Sequence, residues 1–112
     1  MSDLNRVILI GRLTRDPELR YTPSGTAVCN FDIANNETYT ASGEKKEYVN
    51  YFSCTAWAGL AEVIQKYFKK GQQIIVEGKL KQRRWDDENG QKRSKIEIVV
   101  ENFNFCGGKR EE

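Results

Sequence analysis

Counted in twos along an extended chain, the stretch GQQIIVEGKLKQRRW (residues 71–85) puts Lys79, Lys81, Arg83 and Trp85 on one side. Ile74, Val76, Gly78 and Leu80 fall on the other. Cations beside an aromatic ring on a strand face are the chemistry that follows a phosphate backbone while stacking on its bases. A solvated strand face with a lone surface Trp fits the segment equally well, so further rings must decide.

The stretch YVNYFSCTAW (residues 48–57) supplies them, alternating so that Tyr51, Ser53, Thr55 and Trp57 share a face. Tyr51 and Trp57 are then roughly 20 Å apart along a strand rising about 3.3 Å per residue. A few unpaired nucleotides span that distance. Strand aromatics are more often cross-strand pairs or core than ligand platforms. Phe52 points the other way, as core or a subunit contact.

Charge is distributed unevenly although the net value is only +2. Residues 66–84 hold Lys66, Lys69, Lys70, Lys79, Lys81, Arg83 and Arg84 against Glu77 alone. Lys69 and Lys70 have a bland explanation, because cations complement the C-terminal end of a helix. The later four do not, and they favour a polyanionic partner.

With 112 residues, 38% hydrophobic and 30% charged, the chain fits one globular domain. No apolar run approaches the ~18 residues a membrane span needs, and MSDLNRV lacks the regions of a secretory signal. A cytoplasmic protein without membrane contact is expected. Cys29, Cys54 and Cys106 are odd in number and far apart, which fits reduced thiols, the first two buried in strands.

The elements that must position these residues follow from pattern and punctuation. Residues 4–13 are a β-branched and leucine-rich strand, with Gly11 marking a bend or bulge. DPELRYTPSG, carrying both prolines, reads as a loop, and residues 26–38 as a second strand. The polar tract 35–46 reads as an exposed, mobile hairpin loop holding Tyr39, a ring with little core to fill there. After the third strand, Leu60, Val63, Ile64, Tyr67 and Phe68 take helical spacing over residues 60–70, which reads Tyr67 and Phe68 as core and Gly71 as the stop. A fourth strand runs to Trp85, Asn89-Gly90 turns the chain, and a fifth runs to Phe105. Asp86, Asp87 and Glu88 read as solvated turn chemistry and not as a metal site.

This order predicts an all-β, five-stranded OB-fold Greek-key barrel with one short helix between strands 3 and 4, occupying residues 1–105. Residues 106–112 are expected to be a short disordered tail. In such barrels the ligand groove crosses strands 2 and 3, flanked by the loops joining the first two and the last two strands.

NRVILIGRLTRDPELRYTPSG, AWAGLAEV, KKGQQIIVEGKLKQRRW and ENGQKR, in this order and spacing, resemble the bacterial single-stranded DNA-binding protein family over nearly the whole chain. The resemblance implies a nucleoid-associated protein that binds single-stranded DNA without strong sequence preference, serves replication, recombination and repair, and assembles as a homotetramer. The apolar first strand offers an edge for that pairing. The family's stacking aromatics fall on Tyr39, Tyr51, Trp57 and Trp85, with Tyr39 where the family often has Trp. Its basic contacts map to Arg6, Arg12, Lys70, Lys81, Arg83 and Arg84. The chain ends at Lys109-Arg110-Glu111-Glu112, without the family's long acidic and hydrophobic tail, which puts recruitment of partner proteins in doubt.

Three rivals stand beside this reading. A primosomal accessory OB protein would be a dimer that binds single strands and recruits helicase-loading factors; its shortness fits and its aromatic set fits less well. An OB-type protein-interaction module would leave Trp fluorescence indifferent to oligo-dT. An enzyme is the weakest, because the chain has no histidine, no paired thiols and no carboxylate cluster outside a turn. Neither a cofactor nor a metal is expected.

Overall fold

The ladder pattern and not hydrophobicity alone decides the architecture in the computed structural model, which describes residues 2–106. Its elements are β1 (Val7–Leu13), β2 (Glu18–Tyr21), β3 (Ala27–Ala41), β4 (Glu44–Trp57), α1 (Ala58–Tyr67), β5 (Gln73–Asp86) and β6 (Lys92–Phe105). The sheet order is β1-β5-β6-β4-β3-β2, and a β1–β3 pairing closes five of the strands into a barrel. The predicted all-β barrel with a helix between its third and fourth strands is the observed fold. Cys106 is described; the rest of the expected tail, residues 107–112, lies outside the described residues.

Closure depends on two glycines. At Gly11 a Cβ would lie 3.0 Å from the Ala34 carbonyl oxygen and from Ile33 Cβ. Its bare Cα therefore lets β1 leave β5 and reach β3, where Arg12 faces Ala34 and Leu13 faces Ile33. Of the bend or bulge expected at Gly11, a bulge is not found, since the β1–β5 register runs without a shift; the bulge lies in the β5–β6 ladder at Glu77/Gly78. A Cβ on Gly78 would fall 1.9 Å from the Val99 carbonyl oxygen, so only glycine fits there.

The interior is filled from every barrel strand: Leu13, Phe31, Ile33, Cys54, Ile74, Val76, Ile98 and Val100 are buried, with Ala61 and Ile64 of α1 and Phe68 just after it closing one end. Phe52 packs against this core from its rim. Burial pushes the Cys54 thiol up to about 12, with the Asp32 and Glu97 charges adding to the effect, and pushes Cys29 up to about 11, with Glu18 adding.

Four local expectations are corrected. The loop across both prolines contains β2, an edge strand pairing only with β3 from Glu18↔Asn30 to Tyr21↔Ala27. The polar tract after residue 34 is no loop: the β3–β4 ladder continues unbroken to Ala41↔Glu44, and Ser42 (φ 54) and Gly43 (φ 77) form the two-residue turn that right-handed strand twist favours. The helix ends at Tyr67, before Gly71, whose φ of 90 serves a turn in which the Gln72 N–H donates to the Lys69 carbonyl. Tyr67 is exposed and not core, because the ring it meets edge-on at 6.4 Å between centroids, Phe105 at the end of β6, is itself exposed.

Candidate nucleic-acid interface

Directly opposed residues in a ladder share a face. The register therefore places Tyr51, Ser53, Thr55 and Trp57 of β4 beside Ala34, Asp32, Asn30 and Val28 of β3 on the barrel's outer surface. Tyr51 is 69% exposed and Trp57 46%, so both predicted rings are wet and on one face. Between them the floor is polar and rigid. Thr55 is buried, and the Asn30 Nδ2 donates to its Oγ1 at 3.1 Å. Trp57 keeps an extended backbone (φ −123, ψ 152), and Ala58 behind it turns into the left-handed region at φ 58, a strained step that ends the strand abruptly at the ring.

A groove of about 370 Å³ crosses this floor, lined by Trp57, Thr55, Ser53, Asn30 and Asp32, with Arg15 and Arg20 at one wall and Arg83, Lys95 and Glu97 at the other. It runs from β2 over β3 and β4 to the β5–β6 hairpin, which β6 reaches through its parallel pairing of Thr55 with Val99. A second, more apolar cleft of about 510 Å³ continues it between Tyr51, Phe52 and the Leu80, Ile96 and Ile98 side chains.

Trp85, 40% exposed, stands on the hairpin with the Arg83 guanidinium 4.7 Å from its ring centroid. On the reverse face of that hairpin Arg84 donates to Gln82 Oε1 at 2.7 Å. The hairpin's turn is organised by Asp87, whose Oδ1 accepts from the Asn89 and Gln91 N–H groups and whose Oδ2 accepts from Arg93 Nε at 2.9 Å. These donors, the Gln91 amide foremost, hold the Asp87 carboxyl below the usual carboxylate range.

Of the predicted residues, Trp57 and Arg83 line this groove, Tyr51 lines the second cleft, Trp85 and Arg84 line a separate hollow of about 440 Å³ on the hairpin, and the others line none of these. Tyr39 is exposed on the long β3–β4 arm opposite Lys46, and by alternation it belongs to the ribbon face of Phe52, not of Tyr51. Arg6 lies 3.9 Å from Glu77, Arg12 Nη1 donates to the Gly71 carbonyl, and the Lys70 N–H donates to Asp16. Lys81, directly opposed to Glu97 across the β5–β6 ladder, shares the hairpin face of Arg83 but does not line the groove. Arg15, Arg20 and Lys95 were not anticipated. Lys95 was missed because Asn89-Gly90 taken as a two-residue turn sets Ile96 opposite Arg83, whereas the observed loop holds three residues, 88–90, and sets Lys95 there; Arg20 was hidden with the strand that carries it.

Comparison with known proteins agrees with this geometry. Residues 4–106 match the model of the Single-strand binding protein family. The single-stranded DNA-binding protein of Treponema pallidum is 47% identical over 107 residues, covering 96% of this chain and 60% of that protein. That of Borreliella burgdorferi is 48% identical over 104 residues, covering 92% of this chain and 70% of its relative. The chain thus spans about 60 to 70% of the length of these two relatives. A solved structure described as a Plasmodium falciparum SSB complex with ssDNA superposes with a TM-score of 0.85 at 26% identity, over 95% of this chain and 97% of that one. A groove on the expected strands, walled by cations and floored between wet rings, and a family match over nearly the full length converge: the chain belongs to the single-strand binding protein family.

Proposed function

We propose that the chain binds single-stranded DNA without strong sequence preference, stacking bases on Tyr51, Trp57 and Trp85 while Arg15, Arg20, Arg83 and Lys95 meet phosphates. The observation that carries this reading is the single groove joining Trp57 to Arg83 across the β3–β4 surface. Each stacked base contributes about 1 to 3 kcal/mol, and every base has a π-face, so sequence tolerance follows. Duplex DNA hides those faces, which gives the preference for single strands a physical cause. Tyr39, on its arm beyond the barrel, serves a strand leaving the groove, and Arg6, Arg12, Lys70, Lys81 and Arg84 contribute long-range field more than contact.

The chain acts by binding and not by catalysis, in the cytoplasm, during replication, recombination and repair. The names of its relatives favour this role over the primosomal one. It assembles with itself through β1: that strand pairs with β5 on one side, its other edge meets β3 at Arg12 and Leu13 and takes a hydrogen bond from Asn35 Nδ2 at the Ile10 carbonyl, and Ile8 and Ile10 are exposed. A homotetramer is the proposed assembly.

Titration with oligo-dT and with duplex of the same length, followed by intrinsic Trp emission, tests the reading. Strong quenching by oligo-dT alone is the expected result. Equal response to both, or to neither, overturns it.

A further inference from the structure

Two of the groove's four cations are already paired. Arg15 Nη2 lies 3.3 Å from Asp32 Oδ2 and its Nη1 4.0 Å from Glu18, while Arg83 Nε lies 3.7 Å from Glu97 Oε2. Arg20 and Lys95 make no ion pair among the described residues. The groove lining thus sets four cations, Arg15, Arg20, Arg83 and Lys95, against three carboxylates, Glu18, Asp32 and Glu97. A surface meant only to attract a polyanion gains nothing from acids at its centre. Glu97 is the more telling of them, since its side chain is only 11% exposed on the groove wall.

We propose that Asp32 and Glu97 are built-in competitors of phosphate, holding Arg15 and Arg83 in the free protein and surrendering them as a strand enters. The inference rests on the function proposed above. Both contacts are longer than the about 2.7–2.9 Å of a strong charge-assisted hydrogen bond, so a phosphate that approaches closely offers either guanidinium a better partner. Each carboxylate left behind remains beside the bound strand and retains a counterion. Net counterion release is thereby lowered, and binding depends on salt less steeply than the number of nearby cations implies. Affinity then rests on base stacking, which duplex DNA cannot supply, so the same acids sharpen discrimination against duplex.

The test is titration of the intact chain with oligo-dT at several salt concentrations, for wild type, Glu97→Gln, Asp32→Asn and Glu101→Gln. The last removes one carboxylate outside the groove and so matches the change in net charge. The expected result is that Glu97→Gln and Asp32→Asn each tighten binding at low salt by about two- to fivefold, the scale of one exposed ion pair. Each also steepens the slope of log affinity against log salt by up to about 0.7, and each raises affinity for duplex by a larger factor than for oligo-dT. Unchanged or weakened binding in both overturns the proposal, weakening being the signature of carboxylates that merely position the arginines. An equal effect from Glu101→Gln also overturns it, as a response to bulk charge. Should one variant unfold on a thermal melt, the other carries the test, because the two acids act on different arginines at opposite walls. Failure of the unmodified chain to bind oligo-dT at any salt removes the functional reading itself and the inference with it, a result distinct from the others.

Discussion

The Arg83 guanidinium lies 4.7 Å from the centroid of the Trp85 ring, a cation held against a π-face on an exposed hairpin. Stacked this way, the arginine is oriented for phosphate while the opposite face of the indole is left for a base. Trp85→Ala therefore removes a platform and unseats a cation together, whereas Trp57→Ala removes a platform alone. Each is expected to weaken oligo-dT binding by about 5- to 150-fold, the range of one lost stack, Trp85→Ala by more than Trp57→Ala. Fluorescence of the remaining Trp reads the affinity, and an unshifted thermal melt shows that the barrel is intact.

Gly78 carries a prediction about the barrel itself. Any side chain there drives a Cβ into the Val99 carbonyl, so Gly78→Ala must open the β5–β6 ladder at its bulge. A loss of about 3 kcal/mol or more is expected, at or beyond the upper end for overpacking. Urea denaturation measures it as a lower midpoint. A midpoint matching wild type would show that the bulge tolerates a methyl group.

Asp87 makes the β5–β6 hairpin sensitive to acid. Its pKa is lowered in the folded state, so its contribution to turn stability is complete above the ordinary carboxylate value near ~3.9 and is lost as the pH falls through the lower, folded value. The Asn89 and Gln91 amide resonances should shift together as the turn loosens, at a pH below that of an unperturbed carboxylate. Asp87→Asn should abolish that titration.

The three thiols should differ in reactivity. With Cys54 raised to about 12 and Cys29 to about 11 by burial, neither forms appreciable thiolate at pH 8, and neither is open to attack. In the native protein a disulfide reagent should label Cys106 first, and the other two only on unfolding. Labelling of all three at one rate would contradict the buried core described for β3 and β4.

Much of this was legible in the sequence where a strand had one buried face. Alternation around Phe31, Cys54 and Val76 revealed the barrel strands, and the same count placed Tyr51 and Trp57 on the outer surface. Period two fails as a signal where both faces are wet. Residues 35–41 and 44–50 have no core beneath most of them, so nothing in their polarity separates strand from loop; the ladder inherited from the barrel makes them strands. β2 was concealed differently, since Leu19 is its only aliphatic residue and Pro17 and Pro23 bracket it, as an edge strand permits. Tyr39 shows the cost to the site: assigned to a loop it had no defined face, and the ladder gives it the one opposite Tyr51.

The long β3–β4 and β5–β6 arms have a mechanical consequence. The Cα radius of gyration is 16.2 Å, against roughly 13 Å for a compact domain of this length. Such outriggers have little interior to anchor them, and their amides should exchange with solvent while those around Ile33 and Val76 stay protected. Fraying at the tips then costs the barrel nothing, leaving a sturdy hub with two yielding fingers.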